Sequence, residues 1–220
     1  MSEPPKARAY RSDMRTRHAA ETRRLVVASA AELFITQGYA ATSINAIAEA
    51  AGVSRSTVFT AAGGKLTLLK TAYDEAIVGD DRPVPLAERP ASREMRSLTE
   101  GSQIVARYTG ILAAAMSRVS ALYEVVRVAA DTEPDAALLW QDIQRQRLDG
   151  ARQIVELLVA VGPLTGSLTP DRAADVITVY NDPGVHHQLV RNRGWQEDAF
   201  RRWLARTLHH ELLDGPPEEA

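Results

Sequence analysis

Apolar residues recur along most of this chain at helical spacing. Val26, Ala30, Leu33 and Phe34 fall at i, i+4, i+7 and i+8, with Gln37 next in the series. They line one face of a helix of about five turns that starts near His18. Gly38 follows the last periodic position and is the expected stop. Thr42 offers a cap to a short helix ending near Ala50, Gly52 breaks it, and Ser54 caps a second short helix to about Thr60. Gly63 and Gly64 interrupt again. The pattern resumes at Lys65 with Leu66, Leu69, Tyr73 and Ile77 on one face. No convincing strand pattern occurs, so the expected class is all-α.

Pro83, Pro85 and Pro90 forbid a continuous helix over 80–90, which is expected to be a loop. Beyond it, helices are expected near 97–116, 117–131, 134–161, 170–181, 183–192 and 196–213. Pro134, Pro170 and Pro183 suit a first helical position, each after a residue able to sit at a cap: Glu133, Thr169 and Asp182. Residues 1–17 hold Pro4, Pro5 and five basic residues with no hydrophobic period, and read as a flexible basic arm. The expected organisation is an arm (1–17), a small first domain (18–64) and a larger helical second domain (65–220).

Charge sharpens that division. The formal net charge over 220 residues is −2. Residues 1–70 carry ten Lys/Arg against five Asp/Glu, and residues 71–220 carry sixteen against twenty-three. A front of +5 and a rear of −7 point to different partners. The absence of cysteine removes disulfides, thiol nucleophiles and Cys-ligated zinc. The first twenty residues lack a signal-like apolar stretch. The greasiest run, 154–161, is short and contains Glu156, so a cytoplasmic protein with no membrane partner is expected.

The strongest local signal is Ile47-Ala48-Glu49-Ala50-Ala51-Gly52-Val53-Ser54-Arg55-Ser56-Thr57-Val58-Phe59. Ala48 is small where two helices must approach. Gly52 supplies a left-handed turn residue, and Ile47, Val53 and Val58 can seal the pair. This spacing fits a helix-turn-helix, whose second helix enters the DNA major groove. An ordinary αα-hairpin has the same bare spacing. Three features favour the first reading: the basic segment around it, the hydrogen-bonding Arg55, Ser56, Thr57 and Thr60 on the second helix, and the long amphipathic helix before it.

Residues 22–70 resemble the DNA-binding domain of the TetR family of transcriptional regulators. The resemblance runs through Ala28-Ser29-Ala30-Ala31-Glu32-Leu33-Phe34, Gln37-Gly38-Tyr39-Ala40-Ala41-Thr42-Ser43-Ile44, the stretch from Ile47 to Phe59, and Gly63-Gly64-Lys65 with Leu68-Leu69. A weaker likeness follows in Asp182-Pro183 and Val190-Arg191-Asn192-Arg193-Gly194-Trp195. It implies an all-helical homodimer with an N-terminal operator-binding domain and a C-terminal effector domain. Carried over by position, Thr42 and Lys65 would meet phosphate. Arg55, Ser56, Thr57 and Thr60 would lie in or beside the major groove, with Ser54 and Phe59 in the same interface. Phe59 stands where the family usually has tyrosine, which removes a phenolic donor. Ala61 and Ala62 replace a polar or aromatic residue and a phenylalanine, which leaves a smaller seam.

Aromatic and polar residues of the second domain could line a pocket for a mainly apolar effector: Arg107, Tyr108, Met116, Tyr123, Arg127, Trp140, Gln144 and Tyr180. The stripes Ala173, Val176, Ile177, Tyr180 and Phe200, Trp203, Leu204, Thr207, Leu208, Leu212 suggest a four-helix dimer bundle from helices near 170–181 and 196–213. Other chemistry fails on spacing. Gly63-Gly64-Lys65-Leu66-Thr67 lacks the first glycine and the Ser/Thr of a phosphate loop. His210-Glu211-Leu212-Leu213-Asp214 lacks the second histidine of a zinc helix. No cofactor, metal or catalytic residue is expected. The expected function is a repressor released from a palindromic operator by a small molecule. Its rivals are a regulator of the same fold without an effector and, more remotely, a helical enzyme.

Overall fold

The computed structural model describes residues 5–166 and 168–213, with side chains from Met14 onward. Among these residues ten α-helices follow in order: α1 (Pro5–Gln37), α2 (Ile44–Ala50), α3 (Arg55–Ala62), α4 (Lys65–Val78), α5 (Pro90–Met95), α6 (Gly101–Ala130), α7 (Pro134–Val161), α8 (Pro170–Tyr180), α9 (Pro183–His186) and α10 (Glu197–Leu212). Among the described residues there is no strand. The chain forms two compact units that divide between Asp74 and Glu75.

The first unit is built on α1 to α3 and most of α4. Its buried residues are Val26, Val27, Ala30 and Phe34 of α1, Ile47 and Ala48 of α2, Val58 of α3, and Leu68, Leu69, Ala72 and Tyr73 of α4. Fully burying a side chain the size of Phe34 or Leu68 contributes about 2 kcal/mol. The burial of α4 residues to Tyr73 explains why the division falls at 74 and not at the expected 64. The expected arm is also corrected. Helix α1 starts at Pro5, so residues 5–17 are helical, and residues 1–4 lie outside the described residues. Proline is welcome at a first helical position, and no proline or glycine follows before Gly38. A missing hydrophobic period argues against packing, not against helix.

The second unit is a helical bundle around one core. Ile104, Val105, Ala113 and Met116 of α6 meet Ala151, Ile154, Val155 and Leu158 of α7, Ala173, Ala174 and Ile177 of α8, and Phe200, Leu204, Leu208 and Leu212 of α10. The stripes read as dimer faces therefore seal the unit's own interior. The expected break at 116/117 does not exist. Helix α6 is continuous, because no proline interrupts it, Gly110 is tolerated, and its buried face runs on through Val119 and Tyr123. The expected loop over 80–90 contains a short 3₁₀ turn (Leu86–Glu88) and the start of α5. It is stapled where Arg89 donates two hydrogen bonds to the Asp80 carboxylate, 2.7 and 2.8 Å. The Arg89 side chain and then the Arg82 backbone amide hold Asp80 well below the usual carboxylate range. Residues His187–Asn192 continue α9 as a turn of π-helix.

Candidate functional site

The helix-turn-helix is made by α2 and α3. Gly52 adopts φ 66, and Val53 N–H donates back to Ala48 O at 2.9 Å, closing the turn. Ser54 is the N-cap of α3: its Oγ accepts from Thr57 N at 3.1 Å and shares hydrogen bonds of 2.8 Å with Ser56 Oγ and Thr57 Oγ1. Val58 is fully buried, which aims the opposite side of α3 at solvent. Arg55, Ser56, Phe59 and Thr60 are exposed there. Their spacing of i, i+1, i+4 and i+5 makes one continuous patch. Thr57 is half-buried. The Thr60 hydroxyl donates to Ser56 O at 3.0 Å. The Arg55 guanidinium carbon lies 5.7 Å from the centre of the Phe59 ring.

Thr42 departs from its expected role. It is 2 % exposed, and its hydroxyl donates to Gly38 O at 2.8 Å and toward Leu33 O at 3.2 Å. A hydroxyl has one hydrogen, and here the end of α1 takes it. Thr42 therefore locks the α1–α2 turn and does not face phosphate. The cap of α2 is the next residue, Ser43, whose Oγ accepts from Ala46 N at 3.1 Å. Lys65 opens α4, where its charge opposes the helix dipole. It is held there by the Tyr39 ring, 4.1 Å from Nζ, and by Ala40 O at 3.4 Å. Tyr39 leans in turn on Phe34, with ring centres 5.7 Å apart. A cation is thus fixed beside the α1–α2 turn.

In the second unit, the expected effector residues separate. Trp140 packs against Tyr123, with ring centres 4.8 Å apart, and Gln144 Nε2 donates to Tyr123 Oη at 3.0 Å. Tyr123 in turn donates to Asp182 Oδ2 at 2.8 Å, and burial pushes its phenol up. Arg127 stays on the exposed surface in an ion pair with Glu124, and Tyr180 sits against Trp203. Sequence reasoning missed Arg147. It bonds Gln144 Oε1, donates to Thr178 O at 2.6 Å and to Tyr123 Oη at 3.3 Å, and pairs with Asp182 at 3.2 Å. Nothing local distinguished it from Arg127. Only the approach of α7 to the end of α8 brings it inside. Burial likewise pushes the Tyr108 phenol up to about 12, with the Asn181 hydrogen bond and the Arg147 charge pulling the other way.

A third cluster lies around α9. His186 Nδ1 is 3.2 Å from Ser120 Oγ, its Nε2 is 2.9 Å from Glu197 Oε2, and Arg191 Nε donates to Ser120 Oγ at 3.3 Å. Serine, histidine and carboxylate in line are the parts of a hydrolytic nucleophile. Ser120, however, is 0 % exposed, so no substrate carbonyl can reach its oxygen. The last position of the near-zinc motif, Asp214, lies outside the described residues. Among those described, no helix is long and apolar enough to cross a membrane, and no group of three or more His, Asp or Glu is placed to hold a metal.

A short helix pair closed at Gly52, with a polar patch on its second helix and a buttressing α1, defines a helix-turn-helix DNA-binding protein. Residues 26–72 match the profile of the bacterial regulatory proteins of the tetR family. Most of the chain shares the fold of several solved structures. A choline-bound protein of Saccharomonospora viridis superposes with a TM-score of 0.67 at 17% identity, over 89% of this chain and 100% of that one. FadR of Bacillus subtilis in complex with stearoyl-CoA gives 0.65 at 16% identity, over 84% and 96%. NalD of Pseudomonas aeruginosa, the secondary repressor of the MexAB-OprM multidrug efflux pump, gives 0.61 at 20% identity, over 90% and 98%. No curated protein sequence matches the chain. Residues 26–72 thus carry the domain of the tetR family of bacterial regulatory proteins.

Proposed function

We propose that the protein is a homodimeric repressor that holds a palindromic operator through α3 and lets go when a small molecule binds the second unit. The observation that carries this reading is the outward face of α3, where Arg55, Ser56, Phe59 and Thr60 are exposed together while Val58 anchors the helix. Arg55 can offer guanine a two-pronged donor, and the hydroxyls can meet bases or phosphate. Lys65 contributes a fixed charge for phosphate, and Ser54 and Thr57 order the start of the helix. A two-fold operator demands two copies. Because the apolar stripes of α8 and α10 are buried within one chain, pairing through these helices must use their outward faces. Those faces carry Arg172, Asp175 and Val179, and Arg202, Arg206 and His210. The effector site in this reading lies between α6 and α7 at Tyr123, Trp140, Gln144 and Arg147, an aromatic wall with polar anchors. Relatives in fold carry choline and stearoyl-CoA, which supports a ligand-binding second unit.

Selection of bound fragments from random DNA by the purified protein tests the reading. A palindrome is the expected outcome, and a single undivided site would count against dimeric recognition. An effector found by operator release should bind Trp140→Phe more weakly, and unchanged affinity removes Trp140 from the site. One observation favours a second reading, a regulator of the same fold without a small-molecule effector. Tyr123, Gln144, Arg147 and Asp182 already satisfy one another by hydrogen bonds and ion pairing. If no compound in a broad thermal-shift screen stabilises the protein or releases DNA, that second reading stands.

A further inference from the structure

We propose that Phe59 is a specificity residue: its ring, set against Arg55, packs on the 5-methyl group of a thymine close to the guanine that Arg55 reads. The inference rests on α3 being the DNA-reading helix.

Phe59 is 45 % exposed on α3, while Val58 beside it is fully buried. The ring therefore does little to hold the fold together, and its apolar surface waits in water. It also lacks the hydroxyl with which a tyrosine would meet a phosphate, so in a DNA interface it needs an apolar neighbour. The base edges of the major groove offer one such group, the methyl of thymine. Arg55 and Phe59 are four residues apart on one face, with the guanidinium carbon 5.7 Å from the ring centre. The ring restricts where the long arginine side chain can lie, which suits a planar fork that must meet guanine O6 and N7 together. Four residues rise about 6 Å along the helix, and stacked bases are about 3.4 Å apart. The thymine is thus expected within two base pairs of the guanine. Ala61 and Ala62, only half-buried, leave no other large side chain on this turn to compete for the place.

The test uses the full-length protein and the site it selects from random DNA. That site should contain, in each half, a guanine with a thymine within two base pairs. Replacing this thymine by deoxyuridine removes only the methyl. Wild-type affinity should fall about fourfold for each methyl that leaves contact. Phe59→Ala should bind both DNAs equally, and Phe59→Leu, still apolar, should keep part of the preference. Equal binding of the two DNAs by the wild type, a selected site without such a thymine, or a preference that survives in Phe59→Ala would overturn the proposal. If no sequence is selected, or if Arg55→Ala binds the selected site as the wild type does, α3 is not the reading helix. The premise then fails, and with it the proposal.

Discussion

At the scale of single residues, Thr42 shows how a hydroxyl's partners decide its role. Its hydrogen goes to Gly38 O and Leu33 O below the surface. Thr42→Val should therefore cost about 1 kcal/mol of stability and leave operator affinity of the folded protein unchanged. Chemical denaturation and a DNA titration on the same samples check this. Weaker binding at unchanged stability would restore a phosphate contact. Tyr108 makes a second test. Its phenol is raised to about 12 from an ordinary value of 10.0, chiefly by burial. The folded chain then keeps a proton that the unfolded chain releases. Stability is full below pH 10 and declines as pH rises toward 12. Tyr108→Phe should make that alkaline decline shallower, read from melting temperatures across the range. Little of this was legible in sequence. Arg55, Ser56 and Thr60 could be placed on an exposed face by spacing, with Thr57 expected beside them but half-buried and Phe59 exposed instead, whereas Thr42 and Arg147 depend on which distant backbone carbonyl comes near.

At the scale of elements, local signals and tertiary packing divide the work. The caps at Ser54, Thr169 and Asp182 and the stops at Gly38 and Gly52 could all be read from the chain, because cap and turn chemistry is local. Ser54→Ala should cost about 1 kcal/mol, and it also disturbs the hydroxyls of Ser56 and Thr57. Operator affinity should fall further than a stability loss alone explains, as measured well below the melting temperature; unchanged affinity would show that α3 needs no help at its start. What could not be read was which faces meet. The stripe of α10 has the same pattern whether it packs on α6 and α8 of its own chain or on a partner. The observed burial of Phe200, Leu204, Leu208 and Leu212 settles the point only in three dimensions. The end of α4 is another case. Arg118, from the middle of α6, donates to Ala76 O and Ile77 O at 2.8 and 2.7 Å, and no pattern within α4 announces it.

At the scale of the whole molecule, the charge division governs how DNA binding responds to salt. The net positive charge belongs to the segment that includes the helix-turn-helix, and binding there releases counterions. Operator affinity should fall linearly with salt on logarithmic axes, and Lys65→Ala should lower that slope by about 1 per subunit. An unchanged slope would mean that Lys65 spends its charge within the protein. In the second unit the long-range ordering is of another kind. Arg191 N–H donates to Ser120 Oγ, and the two ring nitrogens of His186 face Ser120 Oγ and a Glu197 carboxylate oxygen. The orientation of the ring is thereby held from both edges. Turning the imidazole over would set carbon atoms against both neighbours. His186 thus ties α6, α9, the π turn and α10 together, and its ring N–H, shielded by burial, should exchange with water far more slowly than that of an exposed histidine.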